Sequence, residues 1–143
     1  MKSFETEKLK FWVNGADPKH SWERSRLDER GALFQLVDGE KFSHLVVIQC
    51  VPLPGAFRGR HFHLKKKEEF FLAYGSMTFA WYDLDSKEKG ECELFPGNRL
   101  TIFPKLAHVF FAQNESVLVE FSSSPYDEQD SIPFDPRNPV DLQ

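Results

Sequence analysis

The sequence is poor in cysteine, has no excess of positive charge and contains no long apolar run. Cys50 and Cys92 are too few for a disulfide framework, and each lies among strand-forming residues, where a buried thiol is expected. The 18 Lys and Arg against 22 Asp and Glu give a net charge of −4, which argues against a nucleic-acid partner. The longest uncharged run, 45–57, is too short to cross a bilayer and contains two prolines, so we expect no membrane partner.

The chain length suits one domain. A chain of 143 residues buries enough surface for one hydrophobic core, so we predict a single domain over 1–143. The first ten residues carry charges where a secretory signal peptide needs an apolar stretch. We therefore expect a cytoplasmic protein.

Aromatic and turn-forming residues dominate the pattern. The chain has 15 Phe, and its 8 Gly and 9 Pro separate short apolar runs. This mixture is typical of strands joined by tight turns, so the sequence predicts an all-β sandwich or barrel. An irregular tail is expected from residue 127, which is followed by three prolines. The candidate strands are 9–13, 32–37, 44–51, 60–63, 70–74, 77–82, 92–95, 99–103, 109–112 and 116–121.

Three histidines and one glutamate form a candidate metal site. His61 and His63 stand two apart in a strand-like run, which places both imidazoles on one face. Glu68 follows His63 by five residues, which is enough for a turn, and His108 stands at the start of a later aromatic strand. Three imidazoles and one carboxylate suit a divalent transition metal such as Zn, Fe, Mn or Ni, with a position left for substrate.

The spacing of these residues resembles a known family. Gly55, five residues, His61, one residue, His63, four residues, Glu68, six residues and Gly75 reproduce the first motif of the cupins. The second cupin motif is looser, because the segment 104–108 is one residue short before His108 and lacks the usual Gly. The resemblance implies a double-stranded β-helix, or jelly roll, over about 32–122, with a short N-terminal arm and a metal near the barrel mouth.

Glu69 is the rival of Glu68 for the carboxylate position. Strand alternation points only one of them inward, and the spacing to Gly75 favours Glu68. Glu69 is then expected to face water. The three lysines at 65–67 are interpreted as a solvated turn.

Further segments resemble cupins that act on nucleotide-activated deoxysugars. The stretch 58–63, Arg-Gly-Arg-His-Phe-His, is similar to one in the deoxysugar 3,5-epimerases and in the cupin domain of some capsular-polysaccharide reductases. Asp-Glu-Arg-Gly at 28–31 resembles an opening shared by the epimerases and the 3,4-ketoisomerases, and 126–130 resembles the ketoisomerase tail. The resemblance implies an isomerase or epimerase of a nucleotide-activated keto-deoxysugar in polysaccharide biosynthesis.

The two relatives imply different roles for one histidine. In the epimerases the residue matching His61 is a base, whereas in the reductase domain it holds a metal. Because His63 and Glu68 are also present, we favour the metal, with His61 and His63 catalytic as its ligands. The base remains unassigned.

Three residues are candidates for binding the substrate. Arg58 and Arg60 suit a diphosphate or carboxylate through paired hydrogen bonds, and surface salt bridging is the alternative. Gln49 is either a ligand contact or a side chain satisfied within the sheet. The expected ligand is a carbohydrate or nucleotide sugar, and cupin pairing through strands and termini makes a homodimer the expectation.

Two other functions stay open. A three-His, one-Glu shell also suits a small non-haem metal dioxygenase. A sugar-binding or assembly module without turnover is the third hypothesis. Oxygen consumption by the iron-loaded protein would favour the dioxygenase over the isomerase.

Overall fold

The protein folds into two facing antiparallel sheets. A computed structural model describes residues 2–13 and 25–139. Within them, a one-turn 3₁₀ helix, Glu128–Asp130, precedes the last strand. The strands are β1 (Phe4–Glu5), β2 (Leu9–Trp12), β3 (Arg26–Asp28), β4 (Gly31–Leu33), β5 (His44–Cys50), β6 (Arg58–Phe62), β7 (Glu68–Tyr74), β8 (Met77–Asp83), β9 (Lys89–Leu94), β10 (Arg99–Ile102), β11 (Leu106–Ala112), β12 (Ser116–Ser122) and β13 (Ile132–Pro133).

The strand order is that of a jelly roll. One sheet has the order β1-β2-β10-β7-β12-β5, the other β13-β6-β11-β8-β9, and β3 and β4 form a separate hairpin. The chain crosses between the two large sheets several times, so strands distant in sequence become neighbours. The predicted all-β double-stranded β-helix is confirmed.

The main core lies between the two large sheets. Alternation places every second side chain of each strand in this layer. The six-stranded sheet contributes Phe70 and Leu72 from β7, and the facing sheet contributes Phe79 and Phe110, all at most 5% exposed. The ring of Phe110 packs at a tilt against those of Phe70 and Phe79, with ring centroids 4.7 and 4.9 Å apart.

The barrel begins earlier in the chain than residue 32. Strand β2 pairs with β10, opposing Phe11 to Leu100. Leu9 and Phe11 are fully buried in the core. Part of the predicted N-terminal arm is therefore a barrel strand, because its alternating apolar residues complete the interior layer. The predicted strand 32–37, by contrast, ends at Leu33.

An aromatic layer covers the outer face of the six-stranded sheet. Phe34 packs edge-on against Phe71, and Phe42 packs against Phe121. Glu69 shares this covered face, where it is 7% exposed and accepts a hydrogen bond from Thr101 at 2.6 Å. The expectation that Glu69 faces water is wrong, because the segment after β4 lies over the sheet.

The C-terminal tail returns to the barrel. Its 3₁₀ turn leads into β13, which pairs with β6 and opposes Ile132 to Phe62. Phe134 packs with Phe62 in a second small apolar cluster. The tail therefore lies beside the strand that carries His61 and leads into His63. Among the described residues, none of the helices has the length and apolar character that a membrane span needs.

Candidate metal centre

The four predicted ligands lie together at one point. One ligand atom each from His61, His63, Glu68 and His108 falls within 4.8 Å of all the others. His63, Glu68 and His108 are buried, and His61 is partly exposed. The cluster therefore has one more accessible side, at His61.

Three neighbouring strands position the cluster. His61 lies in β6 directly opposite His108 of β11 in the antiparallel pairing. Glu68 is the first residue of β7 in the other sheet, and a short turn after His63 brings it across. The two sheets thus close around the four side chains at one end of the barrel.

A bulge in β6 sets the approach of the first histidine. The pairing with β11 slips by one residue, so Arg60 has no opposing partner between Gly59 and His61. Gly59 and Arg60 adopt positive φ angles of 83° and 66°. A Cβ atom on Gly59 would lie 2.9 Å from the carbonyl oxygen of His108, so only glycine lets the strands approach here.

Hydrogen bonds fix the orientation of two imidazoles. Nδ1 of His63 donates to the carbonyl oxygen of Asp130 at 2.7 Å, and Nδ1 of His108 donates to that of Leu106 at 2.9 Å. Because a carbonyl only accepts, both rings carry their proton on Nδ1 when neutral, and both Nε2 lone pairs are available. The hydroxyl of Ser131 lies 3.1 Å from Nδ1 of His61.

Three buried polar atoms meet without satisfying one another. Oε1 of Glu68 lies 2.9 Å from Nε2 of His63 and 3.2 Å from Nε2 of His108. None of these three atoms has a hydrogen bond of acceptable geometry with any described residue. Buried polar atoms are normally paired, so this convergence fits a missing positive partner such as a divalent cation.

The electrostatics favour a neutral His61 and an ionised Glu68. Burial and the neighbouring imidazoles lower the pKa of His61 to about 3. Burial alone would raise the pKa of Glu68, but the facing His108 and His63 lower it well below its usual range. Burial lowers the pKa of His63, but its contact with Glu68 and its hydrogen bond to the Asp130 carbonyl together raise the pKa above its ordinary value. Neutral imidazole and ionised carboxylate are the forms that bind metals.

Three supporting residues were not predicted as part of the site. Lys66 is 7% exposed, so its interpretation as part of a solvated turn is wrong. Its ammonium lies 3.3 Å from Oε1 of Glu120, an inward carboxylate of β12. Burial and the charge of Glu68 raise the pKa of Glu120 to about 7. Asp130 accepts backbone hydrogen bonds from Leu64 and its two successors, and the tail motif at 126–130 was the only sequence signal for it.

The predicted substrate-binding residues are exposed and lie on the rim of two cavities beside β6. Arg58 and Gln49 line a cavity of about 320 Å³, where Arg58 donates to the Gln49 carbonyl at 3.2 Å. The Gln49 side chain donates to Glu115 at 2.7 Å, so it has a partner beside the cavity. Arg60 lines a second cavity of about 520 Å³ together with His61, and it pairs with Asp135 at 3.1 Å.

Fold and cluster together define a jelly-roll barrel with a candidate metal centre at one end. The sequence model of the family described as "Polysaccharide biosynthesis C-terminal domain" matches residues 26–128. The chain belongs to this family. Comparison with curated protein sequences gave no significant match.

Solved structures with the same fold include three sugar-modifying enzymes. A double mutant of the 3,4-ketoisomerase QdtA of Thermoanaerobacterium thermosaccharolyticum, in complex with TDP, superposes with a TM-score of 0.72 at 22% identity, covering 90% of this chain and 88% of the other. The TDP-quinovose 3,4-ketoisomerase WlaRB of Campylobacter jejuni gives 0.71 at 19%, covering 89% and 93%. The dTDP-4-dehydrorhamnose 3,5-epimerase of Bacillus anthracis gives 0.70 at 16%, covering 91% and 81%. At these identities the likeness establishes the fold.

Proposed function

We propose that the protein is a metal-binding isomerase or epimerase that acts on a nucleotide-activated keto-deoxysugar in polysaccharide biosynthesis. The observation that supports a metal is the convergence of His61, His63, Glu68 and His108 within 4.8 Å. The facing atoms of His63, Glu68 and His108 have no hydrogen-bond partner among the described residues. The ligand class is supported by the family and by the neighbours, since QdtA was solved with TDP and with TDP-4-keto-6-deoxyglucose.

The reaction class needs two kinds of assistance. A proton leaves the carbon next to the keto group, and negative charge develops on the keto oxygen. A bound divalent cation supplies a Lewis acid for that charge. His63 and His108 would hold it through Nε2, because their Nδ1 atoms donate to backbone carbonyls. His61, the ligand on the more accessible side, lines the 520 Å³ cavity by which a sugar enters.

The rim arginines bind the activated half of the substrate in this proposal. Arg58 and Arg60 flank Gly59, and their guanidinium groups face separate cavities. Guanidinium groups bind diphosphates through paired, charge-assisted hydrogen bonds. Without substrate, Arg60 pairs with Asp135 and Arg58 donates to the Gln49 carbonyl, and these contacts keep both side chains at the rim.

A homodimer is part of the proposal. Strand β5 lies at the edge of its sheet, and its outward residues Leu45 and Val47 are 70% and 69% exposed. An apolar edge strand of this kind is a ready surface for a second copy. Sedimentation of the protein and of Val47→Lys tests it: a dimer that the lysine dissociates is expected, and a monomeric unmutated protein would contradict it.

Metal analysis of protein purified without a histidine tag, followed by calorimetry with nucleotide sugars, tests the function. One divalent metal per chain and binding of TDP- or UDP-linked sugars are expected. No binding at millimolar concentration would refute the nucleotide-sugar ligand. Oxygen consumption by the iron-loaded protein would replace the isomerase with a dioxygenase.

A further inference from the structure

Lys66 is turned into the protein while its neighbours face solvent. It is the middle one of three lysines between β6 and β7, and it is 7% exposed, whereas Lys65 and Lys67 are exposed. Burying an ammonium group is costly unless it is paired. Of three chemically identical side chains in this turn, only that of Lys66 is buried.

The backbone of this turn is held in place from the C-terminal tail. The carboxylate of Asp130 accepts hydrogen bonds from the backbone N–H groups of Leu64, Lys65 and Lys66, the last at 3.0 Å. Asp130 is itself buried. The backbone of Lys66 is thus held in place, and the conformation of the turn directs its side chain into the protein.

The ammonium group of Lys66 bridges two carboxylates. It lies 3.3 Å from Oε1 of Glu120 and 3.8 Å from Oε2 of Glu68. The other oxygen of Glu68, Oε1, lies 2.9 Å from His63 and 3.2 Å from His108. The two oxygens of one carboxylate are therefore divided, one toward the imidazoles and one toward Lys66.

We propose that Lys66, anchored by Glu120, is a positioning residue that keeps Glu68 monodentate, so that only Oε1 is offered to a cation. The inference rests on the metal site of the proposed function and deepens it. A carboxylate binds a metal through one oxygen or two, and an ion pair at Oε2 competes with the second bond. A Glu68 that offers one oxygen would leave a coordination position for a substrate oxygen.

A purely structural ion pair would give a different result. Its loss would lower stability and leave the metal geometry unchanged. If Lys66 holds Oε2, its loss instead lets Glu68 turn and bind through both oxygens. Coordination number therefore separates the two roles, and the visible absorption of Co²⁺ reports it, because metal geometry sets that spectrum.

The experiment is a Co²⁺ titration of the unmutated protein, Lys66→Met and Lys65→Met, with melting temperatures recorded alongside. Lys66→Met keeps the length of the side chain and removes its charge, and Lys65→Met makes the same change on the exposed neighbour. We expect Lys66→Met to bind Co²⁺ with several-fold weaker visible bands, as coordination rises. Lys65→Met should match the unmutated protein.

Two outcomes overturn the proposal in distinguishable ways. If the unmutated protein binds Co²⁺ and Lys66→Met gives the same spectrum, the positioning role is wrong and the metal site stands. If the unmutated protein binds no Co²⁺, both fail. Should Lys66→Met not fold, Lys66→Met/Glu120→Leu removes both charges together, which buried pairs tolerate better than loss of one partner. The same weakening of the bands is expected from it, and an unchanged spectrum would again overturn the positioning role.

Discussion

The carbonyl oxygen of Asp130 accepts a hydrogen bond from Nδ1 of His63 at 2.7 Å across 67 positions of sequence. The same residue uses its carboxylate to hold the backbone of the turn between β6 and β7. A ligand histidine and the turn that leads to Glu68 therefore depend on one residue of the tail.

Replacing Asp130 should damage metal binding more than an exposed change nearby. Asp130→Ala leaves the N–H groups of the turn without their acceptor, which we expect to cost about 1–3 kcal/mol of unfolding free energy. Loss of such support around a ligand typically weakens metal binding by about 10–100-fold. Zinc titration calorimetry and urea unfolding measure both, with the exposed Glu128→Ala as the control. Equal zinc affinity in Asp130→Ala and Glu128→Ala would show that the tail is not needed.

The approach of β6 to β11 can be tested with two glycines. Gly59 and Gly55 have similar φ angles of 83° and 79°, but only at Gly59 would a Cβ meet the neighbouring strand. Left-handed backbone costs a non-glycine residue about 1–2 kcal/mol. Gly55→Ala should lose about that much stability, and Gly59→Ala clearly more. Chemical denaturation measures the stability of both variants. Equal losses of stability would show that the backbone at His108 shifts to accommodate the added methyl group.

Much of the fold followed from local pattern. The runs at 44–50 and 116–122 are strands because both are short and rich in Val, Ile and Leu, and the motif spacing located the four cluster residues. The burial of Glu69 and Lys66 did not follow. It depends on the segment that covers the outer sheet face and on a tail that docks beside β6, and neither contact is encoded in the neighbouring residues.

Bound metal should stabilise the barrel. A ligand that binds only the folded state adds about 2.7 kcal/mol at a hundredfold excess over its dissociation constant. Chelation should therefore lower the melting temperature, and His63→Ala should lose that response while still folding. Scanning calorimetry with and without EDTA measures it. Unchanged metal content in His63→Ala would contradict the assignment of this ligand.

The low pKa of His61 makes the metal-free protein sensitive to acid. Its pKa is about 3 in the folded protein and about 6.5 in the unfolded chain, so between these values the unfolded chain binds more protons. Stability from this group falls as the pH drops, by about 1.5 kcal/mol between pH 6.5 and 5. His61→Gln should lose that much less over this interval. Urea unfolding in EDTA at the two pH values tests it, and an equal loss in both proteins would contradict the shift.

Arg58 gives the sharpest test of the ligand class. It is exposed, and it donates a hydrogen bond to the Gln49 carbonyl at 3.2 Å. An exposed contact of this kind contributes about 0–1 kcal/mol to stability, whereas a charge-assisted hydrogen bond to a ligand is worth about 1.5–3 kcal/mol. Arg58→Ala should therefore weaken nucleotide diphosphate sugar binding by at least about tenfold, equivalent to about 1.4 kcal/mol. Its melting temperature should stay nearly unchanged. Calorimetric titration measures the affinity. An unchanged affinity would show that Arg58 does not bind the diphosphate.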